Sequence, residues 1–298
     1  MDDLRVAAVA MHSAPGLKTQ NLEHMEFFVR RAARKKAQWI CFPELNISGY
    51  SLEEDRLAMA EPIPGPSTDA ALRMAKEYYI VILAGLIEKG SAGEIYISHI
   101  AAAPEGLAGV YRKVHLGPPE ENLFQAGAEI SVFEQYKIRF GIQLCYDGHF
   151  PELSRIQGLQ GAEIIFIPHA SPRETAQAKQ ERWLRYLASR AYDNGVFIVA
   201  CNHAGKEDNL SFWGGAMIFS PRGEVLAQAK AEGEDMIMAD LKGSALKEIR
   251  QSPHGFFIEH RRPELYHRLT KAKGLSFYHP PRSSASGKGG EKNNNEGG

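Results

Sequence analysis

The stretch FGIQLCYDGHFPE, residues 140–152, joins an apolar run to a cysteine, a turn and a proline. The run IRFGIQLC, residues 138–145, predicts a buried strand that ends at Cys145. Pro151 suits the first position of a helix, because that position needs no backbone N–H. The stretch therefore predicts a strand–turn–helix unit. We expect N–H groups of the turn and of the helix start to face the Cys145 sulfur and to favour a thiolate.

Further apolar runs predict strands along most of the chain. They are LRVAAVAM, WICF, IVILAGLIE, IYISHIAAA, LAGVYRKVHL, EIIFIP, VFIVACN, GAMIFS and MIMADL. Helical patterns lie between many of them, at residues 19–38, 67–78 and 172–193. The alternation favours βα crossover units, while GAMIFSPRGEVLAQAK predicts a hairpin. A mixed α/β sheet system follows.

The last of these helices carries signals at both ends. Ser171 as N-cap, Pro172 at the first helical position and Glu174 as the partner of a capping box predict its start. Asn194 and Gly195 predict its end, because both residue types tolerate the left-handed conformation of a C-cap.

Composition limits the classes of function. The 298 residues carry a formal net charge of -1 and are 44% hydrophobic, so we expect a full core and no binding of nucleic acid or of an anionic membrane. No leader pattern or long apolar run is present, which predicts a cytoplasmic protein. One domain over residues 1–282 is expected, followed by a disordered tail, residues 283–298, that has no apolar residue larger than alanine.

The three cysteines are too few and too scattered for a disulfide framework or a zinc pattern. Cys41 and Cys201 lie inside apolar runs and are expected in the core. No histidine spacing predicts a metal site, and no phosphate or dinucleotide loop follows a strand. The sequence predicts no metal and no cofactor.

Five polar segments lie at or just beyond the end of an apolar run. They contain Glu44, Lys113, Cys145, His169 and Asn202. Ligands of α/β proteins bind outside the carboxyl ends of the strands, so we expect these segments to meet. A thiol alone is a poor catalyst of amide cleavage, and a proton-transfer group adds about 10²–10⁴ in rate. A carboxylate and a cation beside the sulfur are therefore chemically required.

Three motifs, FPELNISGY, YRKVHL and GIQLCYDGHFPE, occur in this order and resemble the Glu, Lys and Cys motifs of the nitrilase superfamily of carbon-nitrogen hydrolases. The likeness extends to EPIPGP, EENLFQAG, ASRAYDNGVFIVACN and SPRGEVLAQA. It implies a four-layer α-β-β-α sandwich with two mixed β-sheets, and a homodimer or higher homo-oligomer. It also implies Cys145 as nucleophile, Glu44 as general base and then acid, and Lys113, with the backbone N–H of Tyr146, as the group that binds the oxyanion.

The resemblance further implies a second glutamate, four residues before the Phe of an F-x-x-G element. Phe124 and Gly127 fit this element and select Glu120, with Glu121 as the neighbouring alternative. His149 and His169 follow strand ends and either line the substrate pocket or make structural hydrogen bonds.

These observations predict an amidase or N-carbamoyl amidohydrolase that cleaves a nonpeptide C–N bond of a small linear amide or ureido compound and releases ammonia. A nitrilase and a non-catalytic binding member of the fold are the alternatives. The acidic run of Glu53, Glu54 and Asp55 fits either a cationic amine substrate or a solvated loop.

Overall fold

Strands alternate with helices in the first two thirds of the chain, as the sequence predicts. The strands are β1 (Leu4–Ala10), β2 (Trp39–Cys41), β3 (Val81–Lys89), β4 (Ile95–Ala103), β5 (Gly106–Arg112), β6 (Val132–Gln135), β7 (Ile138–Ile142), β8 (Ile164–His169), β9 (Phe197–Asn202), β10 (Ala204–Glu207), β11 (Leu210–Trp213), β12 (Ala216–Phe219), β13 (Val225–Gln228) and β14 (Asp235–Leu241). The α-helices are α1 (Lys18–Arg34), α2 (Pro66–Tyr78), α3 (Pro151–Leu159), α4 (Ala176–Asn194) and α5 (Gly243–Arg250). Short 3-10 helices cover Glu54–Met59, Cys145–His149 and Phe257–His260.

This architecture comes from a computed structural model, which describes residues 1–172, 174–207, 209–229 and 232–271. The predicted disordered tail, residues 283–298, lies outside the described residues. The chain forms two units, Met1–Glu259 and a second unit that begins at His260. In the second unit the described residues form two short 3-10 helices, Pro263–Leu265 and His267–Thr270. A single domain over residues 1–282 stays a prediction.

The described strands build two large mixed sheets. One has the order β14-β1-β2-β3-β4-β5 and the other β13-β12-β9-β8-β7-β6. β1, β2 and β3 are parallel in the first sheet, and β7, β8 and β9 are parallel in the second. β12 and β13 are antiparallel neighbours, which confirms the predicted hairpin. Glu44 follows the end of β2, and Cys145 follows the end of β7.

The two sheets pack face to face through large aromatic side chains. The ring of Trp39, on β2, is stacked on Phe166, on β8, at 5.8 Å between centroids, and meets Phe140, on β7, edge-on at 4.9 Å. All three are fully buried. Burying one such side chain contributes about 1.5–3 kcal/mol, so this layer is a major source of stability.

Helices cover the outer face of each sheet. Met25 and Phe28 of α1 pack in one core cluster with residues of the first sheet, and Trp183 and Leu187 of α4 do the same on the second. The resulting order is helix, sheet, sheet, helix, which confirms the predicted four-layer α-β-β-α sandwich. None of the helices within the described residues has the length and apolar character needed to span a bilayer.

Local sequence signals predict one end of α4 correctly and the other end wrongly. Gly195 has φ 57 and its N–H bonds back into the last turn of α4, as predicted. The predicted start of that helix is wrong: Thr175 is the N-cap and accepts from the N–H of Ala178 at 3.1 Å. Ser171 lies four residues before this cap, and its backbone N–H and C=O bond to the Asn202 side chain.

The other two predicted helices also shift at their ends. α1 ends at Arg34 rather than near residue 38, since Lys36 has φ 62 and the N–H of Ala37 bonds back to Ala32. α2 begins at Pro66, one residue before the predicted start, and Ser67 donates its hydroxyl to Glu61.

Cys41 and Cys201 are buried in the core, as predicted, with their sulfur atoms 3.9 Å apart. Both are free thiols.

Candidate active site

A buried ammonium lies between two carboxylates just beyond the end of β5. The Lys113 Nζ is 2.8 Å from Glu44 Oε1 and 2.8 Å from Glu120 Oε2. The Lys113 side chain is 1% exposed. Burial alone would lower the pKa of Lys113, but Glu44 and Glu120 raise it well above its ordinary value, so the ammonium stays charged.

Glu44 is held from both sides. The N–H of Ala170, which follows β8, donates to Glu44 Oε2 at 2.9 Å, and the ring of His203, which follows β9, contacts the Glu44 carbonyl oxygen. Burial raises the pKa of Glu44 to about 7, although the Lys113 ammonium opposes this shift. A carboxyl with this pKa can both accept and return a proton near neutral pH.

Glu120, and not Glu121, contacts Lys113. Glu120 is buried, and its carboxylate also accepts from the N–H of Gly117 at 2.7 Å and from the hydroxyl of Tyr50 at 3.2 Å. Glu121 is exposed. Packing therefore separates two adjacent glutamates that the sequence left as alternatives.

Cys145 sits at a sharp turn between β7 and α3. Its φ is 44, a conformation that non-glycine residues rarely adopt, and the predicted helix begins at Pro151. Asp147 ties the turn down: it is fully buried and accepts from the N–H of Leu144 at 2.9 Å and from the hydroxyl of Tyr111 at 2.8 Å. The half-buried thiol is thus fixed by a strained backbone and an anchored turn.

The expected resting thiolate is wrong. Burial, together with the nearby Glu44 carboxylate, raises the pKa of the Cys145 thiol to about 12, while Lys113 and Lys179 act in the opposite direction. The cost of removing a sulfur anion from water exceeds the help from the turn. The sulfur is therefore a neutral thiol near neutral pH and needs a base.

Of the three residues predicted to bind substrate, Tyr146 and His149 lie in this turn and His169 ends β8. The Tyr146 ring is 36% exposed and lies edge-on to His149, whose exposed ring is stacked on Tyr186 at 4.6 Å. His169 is buried, and its ring nitrogens lie 2.7 Å from the Ile167 carbonyl and 3.0 Å from the Tyr186 hydroxyl. Burial lowers the pKa of both histidines, so both rings are neutral. Substrate binding by these residues stays a prediction.

Sequence reasoning missed two charged residues at the site. Asp147 orders the cysteine turn, and the charge of Lys179, on α4, acts to lower the pKa of the Cys145 thiol. A signal for Lys179 exists in the sequence: it falls on the same helical stripe as Ala176, Trp183 and Leu187, which are all buried. A lysine in an apolar stripe is rarely placed there without a partner.

A four-layer α/β sandwich with a thiol, two carboxylates and an ammonium at its strand ends is the architecture of a class of C–N hydrolases. Residues 5–251 match the family model described as carbon-nitrogen hydrolase, and the chain belongs to this family. The resemblance to the nitrilase superfamily is thereby confirmed.

Curated relatives span most of the chain. It is 33% identical to a probable nitrilase of Schizosaccharomyces pombe over 255 residues, 84% of this chain and 92% of the relative. It is 32% identical to the omega-amidase NIT2 of Homo sapiens, over 89% of this chain and 98% of the relative. It is 30% identical to the N-carbamoylputrescine amidase of Oryza sativa, over 90% of this chain and 95% of the relative.

Among solved structures, Nit3 of Saccharomyces cerevisiae has a TM-score of 0.76 at 26% identity and covers 85% of this chain and 95% of that chain. The three curated relatives are named for different substrates at nearly equal identity, so similarity alone does not select a substrate.

Proposed function

We propose that this protein hydrolyses a nonpeptide C–N bond of a small linear amide or N-carbamoyl compound and releases ammonia. The observation that carries the proposal is the cluster of Glu44, Lys113 and Glu120 beside Cys145. Its ammonium lies 2.8 Å from each of the two carboxylates, and the charges of Glu44 and Lys113 act on the Cys145 thiol. Cys145 serves as nucleophile, Glu44 as proton carrier and Lys113 as oxyanion partner.

In the first half of the reaction Glu44 takes the proton of the Cys145 thiol as the sulfur attacks the carbonyl carbon. The carbonyl oxygen becomes an oxyanion, which Lys113 and the backbone N–H of Tyr146 stabilise. The tetrahedral intermediate then collapses. Its C–N bond breaks, Glu44 returns the proton to nitrogen, ammonia leaves, and the acyl group stays on Cys145 as a thioester.

In the second half Glu44 accepts a proton from water as the water oxygen attacks the thioester carbon. The C–S bond breaks, the carboxylic or carbamic acid leaves, and the thiol regains its proton from Glu44. Glu120 holds Lys113 in place through its contact at 2.8 Å. A Glu44 pKa of about 7 supports this alternation, because both protonation states are populated near neutral pH.

The relatives favour this reaction class. One is named an omega-amidase and one an N-carbamoylputrescine amidase. Hydrolysis of a nitrile is the second candidate, because another relative is named a probable nitrilase. The same thiol would then attack a nitrile carbon.

Ammonia release from a panel of linear amides, carbamoyl compounds and nitriles tests the proposal. We expect turnover of at least one amide or carbamoyl compound. Turnover of nitriles alone would replace the proposal with the nitrilase. A panel without any turnover would favour a binding role.

We also propose that the chain forms a homodimer through the outer faces of its helices. Ile156 and Leu159 of α3 and Leu184 and Tyr192 of α4 are exposed apolar residues that a partner could cover. Light scattering on the eluting peak of a gel-filtration column should give twice the chain mass, and a peak at the mass of one chain would contradict this.

A further inference from the structure

The small hairpin of β10 and β11 belongs to neither large sheet, and the mechanism above does not use it. A two-stranded hairpin alone is at best marginally stable in water, so its position depends on contacts with the rest of the chain. One of its residues, Phe212, is buried in the core cluster that also contains Trp39 and Phe166. The hairpin therefore reaches into the layer between the two sheets.

Two further rings contact Phe212. The ring of Tyr50 meets it edge-on at 6.1 Å between centroids, and the ring of His203 is tilted to it at 5.3 Å. Tyr50 and His203 are both buried. Aromatic pairs at such separations contribute about 0.5–1.5 kcal/mol beyond the burial of their area. We call these three residues the aromatic bridge, with Phe212 as its middle member.

Each end of the aromatic bridge contacts one glutamate of the site. The Tyr50 hydroxyl donates to Glu120 Oε1 at 3.2 Å. At the other end, His203 Nε2 lies against the carbonyl oxygen of Glu44, which can only accept a hydrogen bond. These are the two glutamates whose carboxylates contact the Lys113 ammonium. The aromatic bridge thus connects them by a second route, which does not pass through the ammonium.

Both ends of the aromatic bridge are neutral donors near neutral pH. Burial raises the pKa of Tyr50 well above its ordinary value, so its phenol keeps the proton that it donates. Burial lowers the pKa of His203 to about 4, so its ring is uncharged. Since neither end changes its charge in this range, the aromatic bridge acts on the positions of the glutamates and not by proton transfer.

Contacts at two levels hold the hairpin in place. At its base, the N–H of Ala204 donates to the carbonyl oxygen of Met11, which follows β1, at 3.0 Å. Further out, Glu207 Oε1 of β10 lies 2.5 Å from Nε2 of His12. The hairpin is therefore attached to the end of a strand of the first sheet, and it presents Phe212 to the site from a fixed support.

We propose that Phe212 is a positioning residue of the reaction, which holds Glu44 and Glu120 in place through the aromatic bridge. The inference rests on the proposed hydrolysis at Cys145. A carboxylate that takes and returns a proton has to stay within hydrogen-bond reach of its partners. Misplacing a reacting group by about 1 Å can cost about a hundredfold in rate. Loss of the Phe212 ring would leave both glutamates less firmly held.

Phe212→Leu tests this in the full chain, because leucine stays apolar but lacks the ring. On an amide that the wild type hydrolyses, kcat should fall by between about tenfold and a hundredfold. KM should change by less than about twofold, because a positioning residue does not contact the substrate. A raised KM with an unchanged kcat would overturn the inference, since Phe212 would then be a binding residue.

Phe219→Leu is the matched control. Phe219 ends β12, is fully buried, and packs with Trp183 and Leu187 on the outer face of the second sheet. The same truncation there should lower the melting temperature comparably and leave kcat unchanged. An equal loss of kcat in the two variants would show a general effect of lost stability and would overturn the inference.

Tyr50→Phe examines one end of the aromatic bridge with little risk to the fold, because it removes only a hydroxyl. It should lower kcat at least about tenfold, since a hydrogen bond to a charged group is lost. In the Tyr50→Phe background, Phe212→Leu should cost less than it costs in the wild type, because part of its route is already broken. Strictly additive effects on kcat would contradict a route through Tyr50.

Alkylation of Cys145 by iodoacetamide, followed by intact mass, gives a reading that needs no turnover. The thiol pKa of about 12 makes this reaction depend on Glu44 as base. Phe212→Leu should slow it at least about tenfold, and Phe219→Leu should not. Cys145→Ala gives the background from Cys41 and Cys201, which are buried.

The two readings separate this inference from the proposed hydrolysis. Unchanged kcat and an unchanged alkylation rate in folded Phe212→Leu would overturn the positioning role and leave the hydrolysis standing. A wild type that releases ammonia from no compound would count against the hydrolysis. The alkylation rates would then decide whether Phe212 positions Glu44.

Discussion

Lys113 and Lys179 are the same residue type at the same depth, each 1% exposed, yet their surroundings differ. Lys113 is 2.8 Å from each of two carboxylates, and the pKa of this ammonium is raised. Burial lowers the pKa of Lys179, whose nearest carboxylate is 3.2 Å away and has a closer partner. The first ammonium completes a closed charge cluster, and the second has only one, more distant carboxylate.

The two lysines are expected to differ most in what they contribute to the free energy of unfolding. Lys113→Met leaves two buried carboxylates without their cation and should lower the free energy of unfolding by about 3–5 kcal/mol. Lys179→Met should change it by less than about 1 kcal/mol, because Glu174 keeps its closer partner Arg182, so that no buried charge is left unpaired. Urea unfolding at pH 7.5 measures both.

Equal losses in the two variants would contradict the contrast between the lysines. A gain of stability in Lys179→Met would sharpen the contrast, since it would show that the cost of burying this ammonium exceeds the benefit of its contacts.

Glu44→Gln tests whether the carboxylate of Glu44 acts as the base of the reaction. The substitution keeps the shape but removes the proton acceptor, so kcat/KM should fall by at least about a hundredfold. Steady-state ammonia release measures the change, with circular dichroism to verify the fold. Near-normal turnover would mean that another base operates.

The pH dependence follows from the raised pKa of Glu44. The base form is the carboxylate, so kcat/KM should rise with pH through an apparent pKa of about 7. From pH 8 down to pH 5 we expect a loss of about a hundredfold, since the ionised fraction falls about tenfold per pH unit below the pKa. The measured value belongs to the coupled cluster rather than to Glu44 alone. An ascending limb near pH 4.5 would show that burial does not act as described.

The smallest expected effect on kcat/KM is that of Glu120→Gln, with Glu121→Gln as its control. Glu120→Gln weakens one of the two contacts that hold Lys113 and should lower kcat/KM at least about tenfold, or ~1.4 kcal/mol. Glu121→Gln, at the exposed neighbour, should leave it unchanged. Similar kcat/KM values for the two variants would show that the contact of Glu120 with Lys113 does not support the reaction.

The sequence predicts the features that depend on local patterns. Apolar runs predict most of the strands and the hairpin of β12 and β13, but no run predicts β6, β10 or β11. Pro151 predicts the start of α3 and Gly195 the end of α4, because these signals act within a few residues. The same local reasoning fails at the start of α4. There, Ser171 bonds to Asn202, which lies 31 residues away, and Thr175 takes the role of cap.

At the candidate site too, local motifs predict some features and only the folded structure shows the others. Ordered motifs name Glu44, Lys113 and Cys145, but only packing distinguishes Glu120 from Glu121. The protonation of Cys145 and the depth of Lys179 are also properties of the folded chain, since burial sets both. Helical periodicity could have drawn attention to Lys179 but could not show how weakly it is paired.

Ammonia release by the wild type and by Cys145→Ala, on the same panel of amides and carbamoyl compounds, tests the central claim most directly. We predict that the wild type releases ammonia from at least one of them and that Cys145→Ala, still folded by circular dichroism, releases none above background. Equal release by the two proteins would contradict the account, because the thiol would then take no part in the reaction.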